Sequence, residues 1–210
     1  RGFCAGVEMA VVTVERALRK YGPPLYVFHE IVHNRTVVDD LRRQGVRFVQ
    51  SVEDVPKGTR LIFSAHGISP SVREQAKKRQ LQITIDATCP LVEKVHREVR
   101  RFAAKGYSIF LIGHRDHDEI VGTSGEASEH IQIVANTEEA QQVSAADSER
   151  VVVLTQTTLS LDDTRETIES LRQKFPKIIT PSKEDICYAT QNRQDAVKEL
   201  AREVDLILVI

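Results

Sequence analysis

Short apolar runs alternate along the chain with segments whose apolar residues recur every three or four positions. The runs are typical of buried strands, and the spaced segments are typical of amphipathic helices. The runs predict strands at residues 25–28, 61–64, 83–85, 108–112, 131–135, 151–154, 178–179 and 206–210. The spaced segments predict helices at residues 7–20, 36–44, 71–78, 92–105, 161–174 and 192–203. This alternation predicts an α/β fold built on parallel sheets.

The three cysteines share one local pattern. Cys4, Cys89 and Cys187 each precede a predicted helix, and a valine follows each of them by ten residues. We interpret the spacing as a pseudo-threefold repeat in which three thiols meet on the axis. The predicted domains are residues 1–88, residues 89–183 and the start of a third at residues 184–210. Because roughly two thirds of a third unit would then be missing, we interpret the chain as a fragment.

Three thiols that meet at one point predict a metal site with one coordination position left open. A cysteine on its own is usually a small buried apolar residue, and that alternative stays open for each of the three. A structural zinc module is a second alternative, although paired Cys-x-x-Cys spacing is absent from the chain. An iron–sulfur cluster with one non-cysteine iron fits better, because that iron can bind a substrate oxygen and the cluster can deliver electrons.

Polar residues follow four of the predicted strands. His33 follows the first, His66 the second, His117 and Glu119 the strand at 108–112, and a run of Thr and Gln at 155–158 follows the strand at 151–154. Ligands of open parallel α/β sheets bind beyond the carboxyl ends of the strands. Four such ends with polar residues predict one shared pocket.

These residue types indicate anion binding and proton transfer. His33 and His66 suit a phosphate or diphosphate. Glu119, if shielded from water, would have a raised pKa and could donate a proton, whereas His114, His117 and Glu119 could instead form a metal triad. One hydroxyl of the Thr-rich run could face the pocket. Other polar residues are expected to be structural, exposed or solvated: His29, His96, His130, Asp116 and Asp118.

Composition narrows the range of partners. The formal net charge is −1 and the sequence pI is about 6.7, which gives no electrostatic footprint for nucleic acid or an anionic membrane. No apolar run approaches the roughly 18 residues of a membrane-spanning helix. An odd number of cysteines argues against a disulfide scaffold and for a reducing compartment. We therefore expect the cytoplasm, or the plastid stroma if the source bears plastids.

Seven motifs strongly resemble those of the LytB family, the 4-hydroxy-3-methylbut-2-enyl diphosphate reductases. They occur in the family's order and together extend along the whole chain, at residues 1–7, 29–34, 63–67, 86–92, 113–119, 155–160 and 185–190. The resemblance implies a three-domain α/β trefoil around a [4Fe-4S] cluster held by Cys4, Cys89 and Cys187. The cluster's fourth iron takes the hydroxyl of an allylic diphosphate, and two electrons and protons remove it as water. Isopentenyl and dimethylallyl diphosphates result.

The resemblance also assigns roles to the pocket residues. His33, His66 and His117 bind the diphosphate region, Glu119 relays the proton, and Thr157 orders the substrate hydroxyl. A ferredoxin- or flavodoxin-type protein donates the electrons. The rival interpretation is a non-enzymatic iron–sulfur electron carrier or redox sensor, which has no use for phosphate ligands.

The chain departs from the family pattern at two places. Asp118 stands where the family usually has proline, and we expect it to loosen the loop and to add charge beside Glu119. The Ser-x-Asn diphosphate motif, which the resemblance places shortly after residue 210, is absent from these 210 residues, as is the rest of the third predicted domain.

Overall fold

The computed structural model of the protein describes residues 2–180 and 185–208. Its strands are β1 (Leu25–Phe28), β2 (Val46–Val49), β3 (Arg60–Phe63), β4 (Ile83–Asp86), β5 (Ser108–Ile112), β6 (Ile131–Val134) and β7 (Val151–Thr155). Its helices are α1 (Ala5–Tyr21), α2 (Arg35–Arg43), α3 (Pro70–Lys78), α4 (Pro90–Ala103), α5 (Asp118–Ser124), α6 (Thr137–Gln142), α7 (Leu161–Lys174) and α8 (Tyr188–Leu200). The strands form two parallel sheets, in the orders β2-β1-β3-β4 and β6-β5-β7, so the predicted parallel α/β class is confirmed.

The first lobe consists of the four-stranded sheet with α1, α2 and α3. The apolar run of strand β1 lacks a polar face because all four of its residues are buried. Leu25 and Val27 pack with α1 and α2, while Tyr26 and Phe28 pack with residues of α3 on the other face of the sheet. Because successive strand residues point to opposite faces, a sheet covered on both sides requires a continuous apolar run.

The second lobe, the three-stranded sheet with α4, α5, α6 and α7, repeats this arrangement. Phe110 and Ile112 of β5 pack with residues of α6 and α7. Ile109 and Leu111 pack on the opposite face with residues of α4 and with Ile120 of α5. Both lobes therefore place the carboxyl ends of covered parallel strands where their polar loops begin.

Each cysteine is the residue from which a helix begins. Cys4, Cys89 and Cys187 are the N-caps of α1, α4 and α8. The sequence pattern placed these helix starts two to four residues too late. The prediction that one thiol stands at each helix start is confirmed, and Pro90 at the first position of α4 suits it, since its fixed φ is already helical.

Several elements differ from the predictions. Strand β2 and helices α5 and α6 were not predicted, because each is short and has little apolar periodicity. The predicted strand at 178–179 is a single parallel bridge between Ile179 and Val152. The predicted strand at 206–210 is wrong over 206–208, which are irregular and exposed and find no sheet partner in the described parts of the chain; 209–210 lie outside the described residues.

The division of the chain at residues 88 and 183, the pseudo-threefold symmetry and the trefoil stay predictions. Residue 183 itself lies outside the described residues. Within the described ranges, every helix is too short or too polar to cross a bilayer.

Candidate functional site

One cavity of about 570 Å³ lies where the carboxyl ends of strands from both lobes meet the starts of α1, α4 and α8. The loops after β1, β3, β5 and β7 all reach it, as the shared-pocket prediction requires. The cavity is lined by all eight predicted site residues: Cys4, Cys89, Cys187, His33, His66, His117, Glu119 and Thr157. The structure therefore brings the predicted residues together, while the role of each stays a prediction.

The three thiols line this cavity and are all free. The backbone N–H of Cys89 donates to the carbonyl of Ala65 (2.9 Å), and that of Cys187 donates to the carbonyl of Thr157 (2.8 Å). A Cβ built on Gly6 would lie 2.6 Å from the sulfur of Cys89, so a side chain at residue 6 would fill the space beside that thiol. Backbone hydrogen bonds thus tie two cysteines to strand-end loops.

A helix start in general favours a thiolate, but the surroundings of Cys89 act against it. Burial raises the pKa of Cys89, although the backbone N–H groups of Leu91 and Val92 act in the opposite direction. The nearby thiols of Cys4 and Cys187 raise it further. A cation bound among the three sulfurs would reverse this balance by stabilising the thiolates.

Three histidines form a compact cluster beside the thiols. The rings of His33 and His66 stack with centroids 4.0 Å apart, and the ring of His117 meets them edge-on at 5.0 and 5.7 Å respectively. Burial lowers the pKa of His66 to about 3, and the neighbouring His33 contributes to that shift. Burial also lowers the pKa of His117. In the absence of an anion, these two rings are therefore neutral near pH 7.

The sequence suggested that Asp118 is solvated, but the side chain is half-buried and paired. Its Oδ1 lies 2.5 Å from Nδ1 of His29, a residue expected to be structural or exposed. Its Oδ2 lies 3.8 Å from Nδ1 of His66. Asp118 is the first residue of α5, and Nδ1 of His117 accepts the N–H of Glu119 as the N-cap (3.1 Å). Helix α5 is thus capped at its start, and the expected loosening of this segment by Asp118 stays a prediction.

Glu119 is buried against the Thr-rich loop, with 2% of its surface exposed. Its Oε1 accepts the backbone N–H of Thr157 (2.7 Å), and its Oε2 accepts the hydroxyl of the same residue (2.9 Å). Burial raises the pKa of Glu119 to about 7, although both hydrogen bonds from Thr157 oppose that shift. A carboxyl group with such a pKa can hold and release a proton near neutral pH.

The alternative metal triad is not assembled. His114 is exposed, and its backbone N–H, rather than its ring, is anchored to Oε1 of Gln156 (3.1 Å). Two carboxylates lie beside the histidine cluster: an oxygen of Asp118 lies within 4.8 Å of ring nitrogens of both His33 and His66, and Oε2 of Glu30 lies 3.9 Å from Nδ1 of His33.

A partly buried ion pair, which the sequence did not predict, fixes Asp185, two residues before Cys187. Oδ1 of Asp185 lies 2.7 Å from Nζ of Lys94 in α4, and its Oδ2 accepts the N–H of Thr155 (3.2 Å). The pair thus connects α4, β7 and the start of α8. No periodicity or spacing in the sequence pairs residues 94 and 185, so only the assembled fold identifies this contact.

Together these features define a class of protein: a parallel α/β protein with three free thiols at helix starts and a cavity lined by histidines and a buried carboxyl group. A family model described as LytB protein matches residues 1–210. The chain belongs to the LytB family.

Curated relatives carry a reductase name. The chain is 57% identical to 4-hydroxy-3-methylbut-2-enyl diphosphate reductase 1 of Mycobacterium bovis and 58% identical to the corresponding reductase of Mycobacterium ulcerans, over 210 residues in each case. All of this chain aligns with 62% and 63% of those proteins respectively. The chain thus spans somewhat less than two thirds of the length of the curated relatives that it matches.

Two solved structures resemble the fold. The E-1-hydroxy-2-methyl-but-2-enyl-4-diphosphate reductase of Plasmodium falciparum superposes with a TM-score of 0.94 at 46% identity, covering 98% of this chain and 64% of that one. A second structure, (E)-4-hydroxy-3-methyl-but-2-enyl diphosphate reductase, described as the terminal enzyme of the non-mevalonate pathway, gives a TM-score of 0.77 at 34% identity. It covers 97% of this chain and 72% of that one.

Proposed function

We propose that the protein acts in the reductive dehydroxylation of 4-hydroxy-3-methylbut-2-enyl diphosphate, the reaction that the names of its relatives indicate. The products would be isopentenyl and dimethylallyl diphosphates, and two electrons and two protons would release the hydroxyl as water. The observation that carries the proposal is one cavity holding three free thiols, a histidine cluster and a buried carboxyl group with a pKa of about 7.

The donor set fits an iron–sulfur cluster held by three cysteines. Cys4, Cys89 and Cys187 line one cavity without a disulfide, and Gly6 leaves space beside the sulfur of Cys89. A structural zinc site would normally require a fourth protein ligand. Bound there, a [4Fe-4S] cluster would supply electrons and a Lewis-acidic iron.

The histidine cluster would bind the diphosphate. His33, His66 and His117 present ring nitrogens, and each can become a cationic donor when an anion lies beside it. Because such donors gain most from a multiply charged partner, the cluster favours a diphosphate over a neutral alcohol. The substrate would then span the cavity from the histidines to the thiols.

Glu119 would deliver a proton to the departing hydroxyl. It lines the same cavity as the thiols, is shielded from water, and is protonated in about half of the molecules near its pKa of about 7. Thr157 holds both carboxyl oxygens in place and would order the substrate hydroxyl. The proton is thus carried by a group whose orientation is fixed before substrate binds.

The second candidate function is a non-enzymatic electron carrier or redox sensor. A carrier needs the thiols but has no use for a histidine cluster or for a buried acid beside it. In the proposed reductase, a ferredoxin- or flavodoxin-type protein would donate the electrons, and the protein would act in the cytoplasm.

The two functions are separated by reoxidation of the reduced protein. After anaerobic reconstitution with iron and sulfide and chemical reduction, we expect the substrate to restore the oxidised absorption spectrum within turnover time. Isopentenyl diphosphate is the matched control, because it carries the diphosphate but lacks the hydroxyl. Equal reoxidation rates with both compounds would contradict the reductase and favour the carrier.

A further inference from the structure

The contact between His29 and Asp118 joins the two lobes behind the cavity. His29 follows β1 in the first lobe, and Asp118 begins α5 in the second. Their side chains meet at 2.5 Å although 89 residues separate them in the sequence. Neither residue lines the cavity, so the pair acts on a pocket ligand through other side chains.

His29 is held in an unfavourable backbone conformation. Its φ is 58°, in the left-handed region that residues with a side chain rarely adopt. Its N–H donates to the carbonyl of Val49 (2.9 Å), and its ring stacks on Phe28 with centroids 4.1 Å apart. Such conformations persist where surrounding contacts determine them, and they concentrate at functional sites.

His66 connects this pair to the cavity. Its Nδ1 lies 3.8 Å from Oδ2 of Asp118 and 3.4 Å from the hydroxyl of Ser64, so Nε2 is the nitrogen left for a pocket ligand. The side chain of His66 is 12% exposed and that of Asp118 is 24% exposed. Their electrostatic interaction is therefore only partly screened by solvent.

The charged and titratable groups facing His66 act in opposite directions. Burial and the rings of His33, His117 and His29 all disfavour a proton on it, whereas Asp118 favours one. An anion in the cavity would join Asp118 on the favourable side. The stacked ring of His33, 4.0 Å away, disfavours a second proton nearby.

We propose that Asp118, held in place by His29, is a positioning residue that lets His66 take up a proton when a diphosphate enters the cavity. This inference rests on the proposed diphosphate site and deepens it. By net charge alone, a carboxylate close to an anionic ligand would weaken binding. The proposal predicts instead that Asp118 strengthens the binding of diphosphate. The protonated ring lies between the two negative groups and links them.

The test is calorimetric titration of the protein with inorganic diphosphate at pH 7, in two buffers of different ionisation enthalpy. The difference between the two apparent enthalpies gives the net number of protons taken up on binding, which includes any proton that the diphosphate itself exchanges; that ligand contribution is common to all variants. We expect about one proton per bound diphosphate for the unmodified protein, and about half of that or less for Asp118→Asn. We also expect Asp118→Asn to bind diphosphate about threefold to tenfold more weakly.

Asp116→Asn is the matched control. Asp116 is exposed and lies two residues before Asp118, so the variant removes the same charge without touching the contact with His66. His29→Asn is the second variant; asparagine tolerates left-handed φ, so the fold should survive while Asp118 loses its holder. We expect it to reduce proton uptake as Asp118→Asn does. Far-ultraviolet circular dichroism confirms that each variant is folded before titration.

The possible failures are distinguishable. If the unmodified protein does not bind inorganic diphosphate, the proposed diphosphate site is wrong and this inference falls with it. If binding is intact but Asp118→Asn keeps full proton uptake, or binds diphosphate more tightly, the role of Asp118 alone is overturned. An equal loss of uptake in Asp116→Asn would also overturn it, since the effect would then reflect net charge.

Discussion

Two adjacent carboxyl groups at the start of α5 lie in opposite environments. Asp118 faces the histidine wall of the cavity, where the hydrogen bond from His29 and the nearby imidazoles outweigh burial and lower its pKa. Glu119 faces the Thr-rich loop, where burial outweighs the hydrogen bonds from Thr157 and raises its pKa to about 7. One helix start thus provides both a lasting negative charge and a group that exchanges its proton near neutrality. Pairs of titratable groups whose pKa values are pushed apart indicate how acid and base roles are divided.

The largest effect is expected from replacing the cysteines of the proposed cluster site. Each of Cys4→Ser, Cys89→Ser and Cys187→Ser should lose most of the iron bound after anaerobic reconstitution, because each helix start supplies a single thiol and no other cysteine can replace it. Iron analysis and the visible absorption spectrum measure the loss. If any one variant keeps the iron content of the unmodified protein, that cysteine is not a ligand.

The next prediction compares the two carboxyl groups directly by their effect on turnover. Glu119→Gln cannot donate a carboxyl proton and should slow turnover by about 10² to 10⁴. Asp118→Asn, the matched control one residue away, should slow turnover much less than Glu119→Gln, because that residue does not line the cavity. Steady-state turnover with a chemical reductant measures both, and the bound iron should be unchanged in each. Similar losses of turnover in the two variants would contradict the proposal that Glu119 donates the proton while Asp118 only positions His66.

The contributions of Glu119 and Asp118 to the free energy of unfolding should change in opposite directions as pH rises. Because the pKa of Glu119 is raised from 4.5 to about 7, the folded state keeps a proton that the unfolded state has already released. Glu119 should therefore lower the free energy of unfolding by about 3 kcal/mol as pH rises from about 4.5 to 7. Asp118, whose pKa is lowered, contributes stability that is present above its unfolded pKa and is lost as pH falls below it.

Denaturant unfolding of the unmodified protein, Glu119→Gln and Asp118→Asn between pH 3 and 8 measures these contributions. The difference between the unmodified protein and Glu119→Gln should change across pH 5 to 7, because other ionisations are common to both and cancel. The difference from Asp118→Asn should change mainly at the acidic end of the range. A constant difference for Glu119→Gln would mean that the carboxyl group is not desolvated.

Much of the fold could be predicted from the sequence because its cause is local. The apolar run at 25–28 indicated a strand covered on both faces, and the structure has a strand with those bounds. Helix α5 was not predicted, since its first residues are charged and carry no apolar repeat. The histidines, Glu119 and Thr157 of the cavity were predicted because they follow strand ends, and the cysteines because each precedes a helix; both are properties of position along the chain.

The partners of those residues could not be predicted in the same way. The contact between His29 and Asp118 joins residues 89 positions apart and depends on how the two lobes pack. The same holds for Lys94 and Asp185, which are 91 positions apart. His29 and Asp118 were expected to be structural, exposed or solvated, and only the assembled fold shows which charges face each other.

The smallest expected effect concerns the hydrogen bond that the hydroxyl of Thr157 donates to Glu119. Thr157→Val keeps the shape of the side chain and the backbone N–H to Oε1, but removes the hydroxyl that donates to Oε2. Because that hydrogen bond favours the ionised form, its loss should raise the pKa of Glu119 by about 1. Thr157→Ser keeps the hydroxyl and should leave the pKa close to its original value. The infrared carbonyl band of the protonated carboxyl group, followed against pH and assigned by its absence in Glu119→Gln, measures each pKa. An unchanged midpoint in Thr157→Val would mean that the hydroxyl of Thr157 does not set the pKa of Glu119, which would leave burial and the backbone N–H of Thr157 as its causes.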